Sequence, residues 1–189
     1  HIMVAAVLNE HIASHISMFT EAGIAPDVIS VDLFGLYGLY RLIPEYQSYD
    51  SGVALIDSDI HSTRIAFMYE HQLKFIRTLP KGLTHIAKMV SDELKINPSE
   101  AMEHIMRFGL NTAGNESYNS AITRILTSFW NEIDFTLRSF ELQIGPDTTT
   151  RLLLTGRGSE IGEITTFVTT TINRPCQIFS MASLFQHSH

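Results

Sequence analysis

Only one cysteine, Cys176, occurs in the 189 residues, which excludes an internal disulfide framework and suits a reducing compartment. Cys176 itself reads as a buried soft hydrophobe. No run approaches the ~20 consecutive apolar residues of a membrane-spanning helix, and no basic-then-apolar leader opens the chain. Positive charge is scarce as well. Thirteen Lys and Arg against twenty Asp and Glu leave a net charge of −7, which argues against a broad phosphate-binding surface for DNA or RNA and favours a basic partner. Low-complexity tracts, sustained charge runs and solenoid-period repeats are all missing. What is present has the composition of a globular protein, 44% hydrophobic and 17% charged, with enough apolar residues to bury a core. His1-Ile2-Met3 and His187-Ser188-His189 read as added ends, and the abrupt opening in a strand reads as that of an excised piece.

Spacing of the apolar residues predicts the elements. Residues 4–8 are apolar and β-compatible, Asn9 can cap a helix, and Ile12, Ile16, Phe19 and Ala22 recur at helical spacing up to Gly23. Residues 27–32 read as a second strand, and Leu33, Leu36, Tyr37, Tyr40 and Leu42 as a short helix stopped by Pro44. The polar stretch 45–51 reads as a hinge or domain boundary. Three strands follow as a meander over 53–57, 63–69 and 73–79. Helices are expected over 80–94 and from Asn97, where Asn97 caps, Pro98 takes the first position and Glu100 can reach back, with Gly109 as the stop. Tyr118, Ile122, Ile125, Leu126, Phe129, Trp130, Ile133, Leu137 and Phe140 mark a long, substantially buried helix. A short buried strand at 151–154, a turn at 155–159, a helix over 160–172 and a strand at 177–179 close the chain. This order is that of an α/β protein with a mixed sheet.

Four segments stand out in this order, at 53–63, 77–82, 131–140 and 152–159, and together they resemble the actin-like proteins of bacterial envelope machines: PilM-like pilus assembly proteins, the cytoplasmic part of GspL-like secretion proteins and, more distantly, FtsA. Val53-Ala54-Leu55-Ile56-Asp57-Ser58-Asp59-Ile60-His61-Ser62-Thr63 matches the place of the second phosphate loop. Arg77-Thr78-Leu79-Pro80-Lys81-Gly82 resembles the end of the family's meander. The run from Asn131 to Phe140 resembles the long helix of the second domain, and Leu152-Leu153-Leu154-Thr155-Gly156-Arg157-Gly158-Ser159 resembles the adenosine loop. The resemblance implies an actin-like, ribonuclease H-like fold, with 4–44 closing a first domain and 52–180 forming the second. It also implies that Asp57, Ser58, Asp59, Ser62, Thr63, Gly156, Arg157 and Gly158 line the nucleotide loops.

Two of those residues depart from the family pattern. A Gly-rich turn lets backbone N–H groups approach phosphate oxygens, yet Asp59 stands where the pattern has glycine. At ~4 Å and an effective dielectric of about 20, a like-charge contact there costs on the order of 4 kcal/mol unless a metal intervenes. Arg157 replaces the central glycine of the adenosine loop, where it can stack on a base or point into solvent. The family's first phosphate loop would precede Val4. The nucleotide site therefore reads as degenerate, with no catalytic residue, no resident metal and no cofactor expected in this chain, and ATP with Mg²⁺ left to a full-length protein.

Other constellations have a chemical and a plainer reading. Asp57 and Asp59, with Ser62 and Thr63, can hold Mg²⁺ or form a strand-end turn that caps its own N–H groups. His11 and His15 lie four apart, as metal ligands or as a solvated face, without the Glu of a zincin. Gly156-Arg157-Gly158-Ser159-Glu160-Ile161-Gly162 places its third glycine one position late for a dinucleotide fingerprint, and no Gly-x-Ser-x-Gly elbow supports a hydrolase. The aromatics of the long helix read as core, and Asn115-Glu116-Ser117 matters as a glycosylation site only in a secreted protein. The expected function is a cytoplasmic scaffold at the inner-membrane face of a type IV pilus or type II secretion platform. Its partner would be a PilN-like peptide or the secretion ATPase, a homodimer being left open. The alternative is an ATP-binding or ATP-hydrolysing protein whose cleft is completed upstream.

Overall fold

The computed structural model describes residues 8–49 and 51–182; the strand expected over 4–8 lies outside them except for Leu8. Five strands form one mixed sheet in the order β3-β2-β1-β4-β5. Its centre is β1, Gly52–Ser58, in which all seven residues are buried. The expected meander is present: β2, Thr63–Tyr69, and β3, Gln72–Leu79, pair antiparallel in turn. On the other side of β1 lie β4, Thr149–Thr155, and then β5, Cys176–Ile178, both parallel.

Alternation along the strands divides the core into two layers. Ala54, Ile56, Ile65, Phe67, Leu152 and Leu154 face one side, and Val53, Leu55, Ala66, Met68 and Leu153 the other. The first side is covered by α4, Leu83–Leu94; α5, Pro98–Phe108; α6, Glu116–Ile144; and α7, Ile164–Ile172. The 29 residues of α6, roughly 44 Å long at 1.5 Å per residue, bury Tyr118, Ile122, Ile125, Leu126, Phe129, Trp130, Ile133, Leu137 and Phe140 as their spacing predicts. Asn97 and Asn115 accept the N–H groups of Ser99 and Tyr118 and so cap α5 and α6. Gly109 and Gly145 end those helices at positive φ.

The second side is covered by less of the chain. Leu33 and Tyr40 of α2, Asp32–Leu42, pack there with Ile43, Tyr46 and Phe179. Pro44 does stop α2, but it also starts a one-turn helix, α3, Pro44–Gln47. The stretch read as a polar hinge thus contributes Tyr46 to the core, its ring stacked between Tyr40 and Phe179.

Four expectations need correction. Residues 27–31 form no strand: Val28 is 80% and Ile29 52% exposed, and a β-branched run without a neighbouring edge has no ladder to join. The first helix forms as α1, Asn9–Glu21, but it is capped from Leu8 and buries no residue. The last helix starts at Ile164 because Arg157–Glu160 make a 3₁₀ turn instead. Likewise α4 begins at Leu83 rather than Pro80, with extended Gly82 as its N-cap.

One buried ion pair ties the far end of the sheet to α6. Arg174 Nη1 and Nη2 donate to Glu141 Oε1 and Oε2 at 2.6 and 3.1 Å, and Nη1 also reaches Thr149 O at 2.9 Å. The Thr149 N–H donates to the same carboxylate at 2.9 Å. Burial pushes the Glu141 carboxyl up, but the Arg174 and Thr149 hydrogen bonds outweigh it and hold the group below its ordinary range. A depressed folded-state value means stability present above the unfolded value of about 4.3 and lost as pH falls through the folded one. Glu141→Ala leaves the buried Arg174 guanidinium with only the Thr149 carbonyl and, at 3.5 Å, Asp134 Oδ1 among these partners, and is expected to lower the unfolding free energy by about 3 kcal/mol. Urea titrations between neutral and acid pH should show that contribution fading in the wild-type chain and missing from the variant.

Candidate nucleotide-loop site

Both loops that the sequence singles out leave the same end of the sheet. β1 and β4 are parallel with Asp57 beside Thr155, so the β1–β2 turn and the Gly156–Gly158 loop emerge together at the carboxyl ends of the strands, where open α/β sheets place ligands. Their contact is close. Gly156 has φ +79°, and a Cβ on it would lie 2.5 Å from both Asp57 Oδ1 and Ser58 O; a Cβ on Gly158 would overlap the Ser58 hydroxyl. Both glycines are needed because the β1 terminus occupies the space a side chain would take.

That packing sorts the expected site residues. Ser58 is buried under Gly158, and Thr63 is buried with its hydroxyl donating to Lys81 O at 2.9 Å; both are used within the fold. Asp59 and Ser62 are half-buried and close the turn, the Asp59 N–H donating to Ser62 O at 3.0 Å. The turn's carbonyls are engaged as well: Asp59 O accepts from Leu83 N–H at 3.0 Å and Ile60 O from Thr84 N–H at 2.9 Å. Two of the amides that open α4, the kind of donors that bind anions at helix N-termini, are therefore spent on the loop. Gly82 allows this approach, since a Cβ there would collide with Asp59 O. Arg157 is exposed and pairs with Glu160 at 2.7 Å, the solvent-facing alternative of its two readings.

The decisive side chain is one that the motif comparison did not name. Arg64 Nη2 lies 2.7 Å from Asp57 Oδ2 and 3.5 Å from Asp59 Oδ2, while Nη1 bonds Asp32 Oδ2 at the start of α2. Asp32 Oδ1 meanwhile accepts the N–H of Leu33 at 2.8 Å. Within this cluster one guanidinium faces three carboxylates, so the acidic excess stays uncompensated. Burial pushes the Asp57 carboxyl up; Arg64 opposes that, and the nearby charges of Asp59 and Asp32 add to it.

The Mg²⁺ reading of Asp57 and Asp59 fails a fit test on these atoms. Their oxygens converge on the guanidinium, and the Thr63 hydroxyl is committed to Lys81 O. Among the described residues no group of three or more His, Cys, Asp and Glu is arranged to hold a metal ion. His15 uses a ring nitrogen on His11 O, both residues being exposed, as the plainer reading has it. Cys176 is half-buried, and burial pushes its thiol up to about 12, away from the reactive thiolate range.

A second ion pair lies nearby, Lys81 Nζ to Glu132 Oε2 at 2.6 Å. It borders a groove of about 120 Å³ between α4 and α6, lined also by His85, Met89 and Ser128. Hairpin arithmetic could have exposed the Arg64 contact, because the β1–β2 register sets position 57 opposite 64. No local signal points to Asp32, which is 32 residues away along the chain.

Comparison with known proteins follows the same line. The model of the family described as type IV pilus assembly protein PilM matches residues 1–189. The chain belongs to the PilM family. Among solved structures, a PilM–PilN type IV pilus biogenesis complex matches with a TM-score of 0.73 at 20% identity, over 91% of this chain and 48% of that one. A MamK double helical filament gives 0.68 at 14%, over 93% and 62%, and MreB5 of Spiroplasma citri bound to ADP gives 0.64 at 14%, over 95% and 63%. At these identities the likeness shows the fold, which is actin-like. This PilM-family chain spans about half the length of the PilM-complex chain it matches. No curated protein matches its sequence.

Gly156→Ala combines a positive φ with a collision against backbone and carboxylate. It is expected to destabilise the chain by about 1–3 kcal/mol, read as a lower thermal midpoint. Gly114→Ala, also at positive φ but with nothing within 4 Å of its added Cβ, separates the cost of φ alone from that of contact.

Proposed function

We propose that this PilM-family chain works as a protein-binding scaffold in the type IV pilus platform, its nucleotide loops held by internal ion pairs rather than by a bound nucleotide. The observation that carries the reading is the placement of Arg64 among Asp57, Asp59 and Asp32. The loop that faces phosphate in an actin-like cleft here presents carboxylates and their own counter-ion. A triphosphate would meet Asp59 and find the first amides of α4 already engaged.

The family match favours the pilus platform over its type II secretion counterpart, and so a PilN-like peptide over a secretion ATPase as partner. The net charge of −7 favours a partner segment rich in Lys and Arg. Among the described residues no helix is long and apolar enough to cross a membrane. In this reading the chain reaches the cytoplasmic face of the inner membrane through that partner.

A second reading, an actin-like ATP-binding protein, has one specific observation in its favour. Gly156 and Gly158 converge with Asp57 and Ser58 at one sheet end, as a shared ligand would require. Calorimetry on the full-length protein separates the two. The scaffold reading expects a PilN-like cytoplasmic peptide to bind in the micromolar range and ATP·Mg²⁺ to bind weakly, with Asp59→Gly tightening the nucleotide by about tenfold, roughly 1.4 kcal/mol. Tight ATP·Mg²⁺ binding that Asp57→Ala abolishes would overturn it in favour of the second.

A further inference from the structure

The long helix α6 buries Phe129, Trp130 and Phe140, but Phe135 is 75% exposed and Leu142, two turns on, is 88% exposed. Ser128, Glu132, Phe135, Arg138 and Leu142 recur at spacings of three and four, so they share one face, roughly 21 Å long at 1.5 Å per residue. Exposed apolar residues scattered singly are ordinary; here two lie on one stripe with a charge of each sign. We infer that this face is a self-association surface, on which α6 lies antiparallel against α6 of a second copy of the chain, with Phe135 on the two-fold axis. In a two-fold contact residue i meets j and j meets i, so an axis at Phe135 fixes every other pair. Leu142 meets Ser128 of the partner subunit, Arg138 meets the partner's Glu132, and Asn131 meets the partner's Ser139.

Charge selects both the occupant and the register. Moving the axis one turn toward Arg138 would set two guanidinia against each other, and moving it to Glu132 would do the same with two carboxylates. Centred on Phe135, each guanidinium faces a carboxylate and no like charges on the stripe meet. Both groups have capacity left. Arg138 bonds through Nε to Asp134 Oδ2 at 2.6 Å, and Glu132 through Oε2 to Lys81 at 2.6 Å, so the Arg138 terminal nitrogens and Glu132 Oε1 are open among the described residues. Leu142 comes over Ser128, which lines the groove between α4 and α6. At about 120 Å³ that groove is smaller than the ~300 Å³ or more of small-molecule sites, and its Met89, Ile125 and Phe129 walls suit one aliphatic side chain. Two such anchors and one aromatic contact fall short of the ~1,200 Å² at which stable interfaces begin, and the net charge of −7 on each copy opposes approach. The dimer is therefore weak and concentration-dependent. Neither nucleotide loop takes part, so it holds under either reading of them.

Sedimentation velocity on the 189-residue chain tests this at about 0.15 M salt, where charge is screened beyond about 8 Å. Monomer should give way to dimer between micromolar and millimolar protein. Phe135→Ala and Arg138→Glu should each weaken the dimer by about tenfold; both positions are more than half exposed, so neither change disturbs the core. Adding Glu132→Arg to Arg138→Glu restores opposite charges across the axis and should recover most of the loss. Mixed Asn131→Cys and Ser139→Cys chains, oxidised with diamide, should form the disulfide between unlike chains faster than either chain crosslinks with itself. A chain that stays monomeric at millimolar concentration would overturn the proposal. So would a dimer indifferent to Phe135→Ala and to charge reversal, because its contact would lie elsewhere, and crosslinking without preference for the unlike pair would exclude the antiparallel register.

Discussion

Everything in this molecule is hung on β1, a seven-residue strand with no exposed residue. It is hydrogen-bonded on both edges and packed on both faces, so its side chains alternate between two apolar layers that never mix. A slip of one residue would exchange Ala54 and Ile56 for Val53 and Leu55. The small Ala54 and Ala66 lie in different layers, and Trp130 and Phe140 are on only one side, so the volumes would no longer match. Fixing β1 in this way fixes where it ends, and Asp57 to Ser62 must then emerge beside the loop that leaves β4.

The two ends of the sheet resolve buried charge differently. At one end Arg174 and Glu141 form a two-bond pair whose remaining needs are met by the Thr149 backbone. That arrangement is nearly self-contained. At the other end Arg64 serves three carboxylates, of which Asp32 also accepts the Leu33 N–H, and Asp57 keeps a raised affinity for its proton despite the adjacent guanidinium. Satisfied buried pairs lock structure, and under-compensated ones leave it poised. The second kind lies at the turn whose sequence resembles a phosphate loop.

Much of this was legible in the amino acids. The meander, the cap at Asn97, the stop at Gly109 and the whole buried stripe of α6 follow from local rules that neighbours along the chain satisfy by themselves. The misreadings share a cause. Residues 27–31 carry strand propensity but have no edge to pair with, and 45–47 look polar although Tyr46 finds a place in an aromatic stack. Propensity speaks for the residue, whereas ladders and stacks depend on what arrives from elsewhere.

The candidate site divides along the same boundary. Sequence by itself determined the order of elements and the positions of both loops, because glycine spacing and hydrophobic period are short-range properties, and its resemblance to a family marked the departures at Asp59 and Arg157. Only the tertiary structure decided what Asp59 faces. It made the turn that resembles a phosphate loop into an acidic turn held by Arg64, bringing in Asp32 from the start of α2. It also spent the Leu83 and Thr84 amides on that turn. A charge is defined by its partners, and those partners came from segments that only the packed sheet brings together.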